Sequence, residues 1–530
     1  KKAKGAQTML EVCYRQRERE KNAEGVVHEF VSALAKSGIS LEQADGPLGE
    51  FVRKHCPAAK TMPGGHQLRR KQLIEVFDKH METIRDDVKD AKVSFIVDES
   101  PDILGYPTVN TLVCLYSLQR EQKVVYLVEV SRVKQCNAFT VAGVLRHALT
   151  SLGKDWSDVV AIASDSAQYM QRMVKDINEG ESLHIVHVKD VPHLIHVAIG
   201  SAIASECIAR LQQVVLKFGA LFKHSNRLYQ EYQELCSNNG VALSDIKKPP
   251  AVVPQRWYSF YRCLEVTLEM WDCLTELVET HTGGNAKVDK LKSLLCGKKQ
   301  ELYATGVLIL EVLQPVTDVQ QKLESGQLLL PHYHNLVNVK LHEVLSSIKT
   351  NVGTSSKALM LLAMLPKDVK ITVKATCHTF CDQILNKWRD TVNRNLSGTT
   401  DMPSQMVIWE KAAVLDKSST DFKSHEFDYY KELFSLVTEC SDQLKEEFCE
   451  YVQEDAPTNE DFALLDYWKS TSVRYPTLAP AALSLMCLPL GSCDVERSFS
   501  KMRYMQRPQR SSMDDERFKA QMILFVNNKY

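Results

Sequence analysis

Apolar residues change their spacing twice along the chain, and the changes divide it. From 26 to 39, VVHEFVSALAKSGI repeats its apolar positions at about 3.6 residues. That spacing predicts an amphipathic helix, with Gly38 suited to its end. SLEQADGPLGEFVRKHC starts another helix after a turn, and PAAKTMPGG (57–65) reads as a loop. HQLRRKQLIEVFDKHMETIRDDVKDA returns to helical spacing. The pattern then becomes β-rich: VSFIVDES, VNTLVCLYSL and KVVYLVEV are three strands separated by short polar turns. A helix over about 138–152 follows, then a strand in DVVAIASD, a helix in SAQYMQRMVKDI, a strand in SLHIVHV and a long helix from about Pro192. From about 200 to 480 almost everything reads as helix, including ECIARLQQVVLKFGALFKHSNRLYQEYQEL and FKSHEFDYYKELFSLVTECSDQLKEEFCEYV as long runs. Pro-, Gly- or Ser-rich loops fall near 236–254, 281–286, 351–356 and 396–405.

The order βββαβαβα is that of an RNase H-like core, in which the first and fourth strands lie side by side. The expected fold class is α/β plus all-α: an RNase H-like catalytic core interrupted by a large helical insertion domain. Residues 1–90 are expected to be an N-terminal helical region for DNA binding or oligomerisation. The first part of the core then spans 91–200, the insertion 201–480, and the last part of the core, with a C-terminal dimerisation segment, 481–530.

Length and composition narrow the class. At 530 residues, the chain is expected to hold two to four domains, and 44% hydrophobic residues exclude a disordered protein. Its formal net charge of −1 leaves nucleic-acid binding to local basic stripes. Two exist. The first twenty residues carry six Lys/Arg against three Glu, and Arg497–Met513 carries Arg497, Lys501, Arg503, Arg507 and Arg510. Fifteen scattered cysteines form no regular framework, which fits free thiols in a reducing compartment. No signal peptide or apolar run of about 18 residues is visible, so no membrane partner is expected. The chain begins at Lys1, not Met, so a segment upstream is expected.

Three acids carry the candidate chemistry. Asp98 is read as ending the run Val93–Val97, Asp165 as ending the run in VVAIASDS, and Glu496 lies in the helix-like SCDVERSFSKM. Ligands in open sheets gather at the carboxyl ends of strands, so two aspartates on neighbouring strand ends can converge. Hard divalent cations take carboxylate oxygens, and a pair of them can clamp both oxygens of an in-line phosphoryl displacement. Glu99 and Asp102 lie close enough in sequence to be the ligand in place of Asp98. Asp165 could instead cap the helix that follows it.

The C-terminal text LSLMCLPLGSCDVERSFSKMRYMQRPQRSSMDDERFKAQMILFVN resembles the signature segment of the hAT superfamily of cut-and-paste DNA transposases. Glu496, Arg497, Phe499 and Ser500 stand where that pattern wants them. VDES with Asp98 looks like the family's first-aspartate strand, and SDSAQYM with Asp165 looks like its D-x-A-x-x-M segment. PQRWYSF, with Arg256 and Trp257, is similar to its R-W pair. DVPHLIHV departs from it: His193 matches the histidine of a C-x-x-H phrase, but Asp190 stands at the cysteine position. That departure favours a domesticated copy without touching the three acids. The N-terminal part is similar to the helical segment after a BED-type zinc finger in this superfamily, and to CGG triplet repeat-binding proteins. No finger remains in this chain, so one is expected before Lys1, if anywhere.

The resemblance implies a DDE-type transposase with Asp98, Asp165 and Glu496 as catalytic metal ligands for Mg2+, with Mn2+ as a substitute. It further implies double-stranded DNA with terminal inverted repeats, a target DNA, a hairpin on flanking DNA, a homodimer or higher homo-oligomer, and a nuclear location. Arg256, Trp257, His193, Arg497, Lys501 and Arg503 are the candidate DNA contacts: Trp257 stacking on an unpaired base, Arg256 holding a phosphate, and Lys501 and Arg503 facing DNA while Arg497 is structural. The alternative is a domesticated, non-catalytic DNA-binding regulator of transcription or chromatin. HIVHVKDVPHLIH is disfavoured as a zinc site, because His184 and His187 would point to opposite faces of a strand. Cys377 and Cys381 read as core packing.

Overall fold

Five strands form one mixed sheet among the described residues, in the order β3-β2-β1-β4-β5. They are β1 (Val93–Pro101), β2 (Pro107–Ser117), β3 (Gln122–Arg132), β4 (Val159–Ser164) and β5 (Val186–Lys189). The computed structural model describes residues 21–253, 256–326, 328–396, 404–419, 422–455, 463–506 and 513–529. β1 pairs antiparallel with β2 and parallel with β4, and β5 is parallel to β4. β4 is buried throughout and β1 over Val93–Val97, which is why both read as continuous apolar runs. Helix α1 (Leu73–Val88) precedes the sheet, α2 (Ala138–Leu152) follows β3, and α3 (Gln168–Glu181) follows β4. Reciprocal bonds between Asn137 and Thr140 start α2, and Gly153, at φ 69°, ends it.

β1 runs beyond the expected end at Asp98. Its parallel register with β4 stops at Ile96↔Ala163, but its antiparallel register with β2 continues through Asp98↔Asn110 to Pro101↔Pro107. Asp98 therefore sits where β1 has lost its parallel neighbour and still has its antiparallel one.

The chain divides into two compact units. One holds the sheet and comprises Lys1–Asp190, Leu329–Pro331 and Thr399–Tyr530; the other is Val191–Leu328 with His332–Gly398. The second unit is helical and includes α4 (Val191–Ile203), α5 (Trp257–Glu269), α6 (Lys299–Glu324) and α7 (Lys367–Asn395). Helix α6 is long and apolar enough to cross a membrane, but Leu308, Ile309, Leu313 and Val316 are fully buried inside this unit, so it is a core helix. Residues 404–455, assigned to the insert by sequence, pack with the sheet unit. There the Gln405 amide pairs with both backbone groups of Lys189 and covers the edge of β5.

Several helices are shorter than the apolar pattern suggests. The one from Pro192 stops at Ile203, and the next run splits into Ala209–Leu221 and Asn226–Asn238. His224 makes that break at φ 64°. The run over 422–452 splits into Phe427–Ser435 and Asp442–Gln453, because the Ser441 hydroxyl accepts the Leu444 amide and starts a new helix.

The sheet unit closes with α8 (Cys493–Met505) against β1 and β2, and α9 (Asp515–Val526) against β3 and α1. Asn527 behaves as an extra strand residue: its side chain bonds both the Leu127 amide, at 2.8 Å, and the Leu127 carbonyl, at 3.0 Å.

Candidate active site

Asp98 faces α8. Residues directly opposite in an antiparallel pair share a face, and its partner Asn110 donates to the buried Ser498 hydroxyl of α8 at 2.7 Å. The Glu99 amide donates to Asp98 Oδ1 at 2.8 Å and holds the carboxylate on the strand. Asp165 follows β4 directly. The Ala167 amide donates to its Oδ1 at 3.1 Å, so it caps the turn before α3 while its other oxygen stays free of that bond. Behind it, Ser164 Oγ contacts the half-buried His187 Nε2 at 2.8 Å, and burial, then Lys189, lower His187 to about 3. A neutral imidazole therefore backs the Asp165 turn. Glu496 lies in the first turn of α8, exposed.

The three acids meet electrostatically. Burial raises Asp98 well above the usual carboxylate range, the charge of Asp165 adds to the rise, and Glu496 and Asp190 add further. The Glu99 amide opposes this only in part. Tyr169, in the first turn of α3, joins the group: burial, then Glu99, Asp165, Cys136 and Asp98, raise its phenol. Burial, then Glu99, push the Cys136 thiol up to about 12. Asp102, the other alternative ligand, is ion-paired to Arg132 at 2.8 Å.

Asp190, at the position where the resembled pattern has cysteine, is a buried member of this site. Its Oδ2 accepts the Ser492 hydroxyl at 2.5 Å, its amide donates to the Ser164 carbonyl at 3.3 Å, and a Cβ on Gly491 would come within 2.7 Å of its Oδ1. It thus ties the end of β4 to the residue preceding α8, the helix that carries Glu496. Nothing in the sequence alone distinguishes this tie from an inactivating change; the serine at 492 is the only trace of it.

Asp98, Asp165 and Glu496, with no ion pair to any of them among the described residues, form a donor set suited to hard divalent cations. Their oxygens do not all fall within 4.8 Å of one another. Like charges without a cation hold apart, and two ions do not require one shared shell. The described residues that do cluster so tightly are Glu24, His28 and Glu75. There, however, Glu75 is paired with His28 at 2.8 Å and with Lys71 at 3.6 Å, and Lys79 Nζ takes up the other ring nitrogen of His28 at 3.2 Å, so basic side chains already occupy that group.

The candidate DNA contacts separate clearly. Arg503 is exposed and donates to Ser100 Oγ at 3.2 Å, two residues beyond Asp98 on β1. Arg497 is exposed and pairs with Asp494 at 2.6 Å. Lys501 is a correction: its ammonium bonds the Phe525 and Val526 carbonyls at the end of α9, at 3.2 and 3.1 Å, and burial lowers its pKa. It caps a helix and does not face outward. Arg507 and Arg510 lie outside the described residues, as do the first twenty.

In the helical unit, His193 and Arg256 come together around His196, whose pKa is lowered by burial first and by both neighbours after it. The His193 and His196 rings lie 6.2 Å apart, and the Trp257 amide donates to His196 Nδ1 at 3.3 Å. Trp257 is the second correction. It is 3% exposed, and its indole N–H is bonded to Gln320 at 3.0 Å, so no ring face is offered to a base. The aromatic ring at the surface here is Tyr258, 38% exposed and stacked on Tyr261. Nothing in PQRWYSF shows which of the adjacent rings, Trp257 or Tyr258, lies at the surface.

Residues 440–530 match the family model of the hAT family C-terminal dimerisation region. This match supports hAT family membership and homo-oligomerisation. No curated protein matches the chain. The matched region includes Ser492, Glu496 and Arg503, so the hAT-like segment supplies one of the three acids as well as α9. The apolar face of α9 (Phe518, Met522, Ile523 and Leu524) is buried on its own chain.

Proposed function

We propose that this chain is a cut-and-paste DNA transposase of hAT type, built on an RNase H-like core, with Asp98, Asp165 and Glu496 as its catalytic metal ligands. One observation carries the reading. Asp98, beside the end of β4, is raised by the charges of Asp165 and Glu496 from distant parts of the sequence, in the order the hAT pattern requires, and none of the three is ion-paired among the described residues; this supports the reading. Mg2+ bound there, or Mn2+ in its place, would activate a water or a 3′ hydroxyl and stabilise the leaving oxygen.

The chain's own residues divide the remaining work. Backbone amides of Glu99 and Ala167 fix one oxygen each of Asp98 and Asp165, so these two set the site's position. Glu496, exposed on the first turn of α8, is the adjustable member, and Asp190, through Ser492, sets where that turn begins. Arg503 is placed to take a phosphate of the bound strand. His193, Arg256 and exposed Tyr258 form a second DNA contact on the helical unit. The partners are double-stranded DNA with terminal inverted repeats, a target DNA and a second copy of the chain, which places the work in the nucleus.

The test is Mn2+-dependent nicking of supercoiled plasmid, a substrate that needs no knowledge of the transposon ends. Asp98→Asn, Asp165→Asn and Glu496→Gln should each reduce nicking by at least about a hundredfold while duplex binding stays within about threefold. Duplex binding by the wild type with no nicking at any Mn2+ concentration would instead support a domesticated, non-catalytic DNA-binding regulator.

A further inference from the structure

β1 does more than carry Asp98. With β2 it runs on past the end of β4 as a hairpin, and its tip, 102–106, is hydrogen-bonded at every backbone amide. The Asp102 side chain is fully buried. Its Oδ1 accepts the amides of Leu104 and Tyr106 at 2.8 and 2.9 Å, and its Oδ2 is paired with Arg132. The Gly105 amide bonds the Asp102 carbonyl at 3.0 Å with φ at 84°, and the Ile103 amide bonds Gln506 Oε1 at 3.2 Å. Every amide from Asp102 to Tyr106 is thus engaged. The side chains so held are nevertheless apolar and outward: Ile103, Leu104 and Tyr106 are 43%, 53% and 56% exposed. Such a patch, held rigid at a free-energy cost to solvation, marks a contact surface.

The occupant follows from position and charge. Three strand steps, about 10 Å at ~3.3 Å per residue, take β1 from Asp98 to its end at Pro101, and the turn that holds Ile103 follows. That reach is roughly three to five steps along a DNA strand whose scissile phosphate sits at the acids. Arg503, on Ser100 at the root of the hairpin, supplies the positive charge a phosphate needs, and Gln506 anchors the tip to the same helix. The tip itself carries no charge to offer a phosphate. Its aliphatic and aromatic groups suit bases, either wedged into a step or stacked on an unpaired base.

We propose that the β1–β2 hairpin tip is a wedge whose Ile103, Leu104 and Tyr106 contact opened bases of the substrate DNA a few base pairs from the cleaved bond. This rests on the reading of Asp98, Asp165 and Glu496 as a DNA-cleaving site. It adds an element that senses whether the DNA beside that site is open.

The experiment compares binding of a Y-shaped duplex, with 2-aminopurine at the fork, and a blunt duplex of the same sequence, both in Ca2+. The wild type should prefer the fork by about tenfold and change the 2-aminopurine fluorescence. Ile103→Ser/Leu104→Ser/Tyr106→Ser should abolish both effects while blunt-duplex affinity and melting temperature hold. Tyr106→Ala should lose most of the preference, and Tyr106→Phe should keep it. A preference that survives the triple variant, an equal loss on both duplexes, or no preference in the wild type would overturn the proposal. So would a fall in sedimentation mass in the triple variant, which would assign the tip to a second copy of the chain. Fork preference in a protein that never nicks plasmid would leave the wedge standing and remove the catalytic reading. No DNA binding by the wild type would remove both.

Discussion

Replacing Asp98 by asparagine should make the metal-free protein more stable and the metal-loaded protein less so. The side chain keeps its volume, and its Oδ1 can still accept the Glu99 amide. What disappears is a charge raised by burial and by Asp165, Glu496 and Asp190. The sign follows from linkage. An acid whose folded pKa lies above its unfolded value destabilises the fold once ionised, so wild-type stability falls as pH climbs from about 4 through the folded pKa. The variant escapes that loss, and each pKa unit of such a shift corresponds to about 1.4 kcal/mol. A gain of ~1 kcal/mol reads as about 2–4 °C in a unit of 150–250 residues. Divalent metal acts the other way. At free Mn2+ of a hundred times Kd, the wild type gains about 2.7 kcal/mol, or roughly 5–10 °C on the same conversion; the variant, with one of three acids gone, should gain little. Scanning calorimetry at pH 5 and pH 8, first in EDTA and then in Mn2+, reads all four conditions. In EDTA the variant's advantage should be larger at pH 8 than at pH 5. An asparagine variant that melts below the wild type in EDTA at pH 8, or that keeps the full Mn2+ shift, would refute the reasoning.

Other substitutions separate structural from DNA-contacting roles. Asp190→Ala strands the buried Ser492 hydroxyl and should cost about 2–3 kcal/mol, with a matching fall in plasmid nicking; Asp190→Asn, which keeps an acceptor, should lose much less of both. Lys501→Met should lower the melting temperature by the equivalent of about 1 kcal/mol and leave duplex affinity within about twofold. Arg503→Ala should do the reverse, weakening duplex binding and reducing its salt slope by about one without changing the melt. Trp257→Ala should cost about 3–5 kcal/mol as a core truncation, whereas Arg256→Ala and Tyr258→Ala should leave stability intact and weaken binding to DNA with unpaired bases.

Much of this was legible in the chain because the α/β part obeys local rules. β-rich runs and a helical stretch place the first four strands and α2 within a residue or two of where they lie, and the strand order brings Asp98 beside Asp165. What was illegible depends on tertiary neighbours. The end of β1 depends on β2, since the strand outlives its parallel partner by pairing on its other side. Lys501 looked like a phosphate contact because nothing in ERSFSKM reveals that the end of α9 sits beside it. Trp257 looked like a stacking platform because a sequence does not show which side of α5 is buried. Asp190 looked like damage, since its role is defined by Ser492, 302 residues away. Helix breaks at His224 and Ser441 were hidden because the apolar pattern runs through them, while a single residue's conformation or hydroxyl ends the helix.

The central claim is that Asp98, Asp165 and Glu496 together hold divalent metal. Anomalous diffraction at the manganese edge, from crystals of this chain grown in Mn2+ with a short DNA duplex, tests it most directly. The account predicts anomalous peaks bounded by these three carboxylates at the carboxyl edge of β1 and β4, and their loss in Asp98→Asn. Ordered DNA across that edge with no manganese among the three acids, or manganese only elsewhere, would contradict it.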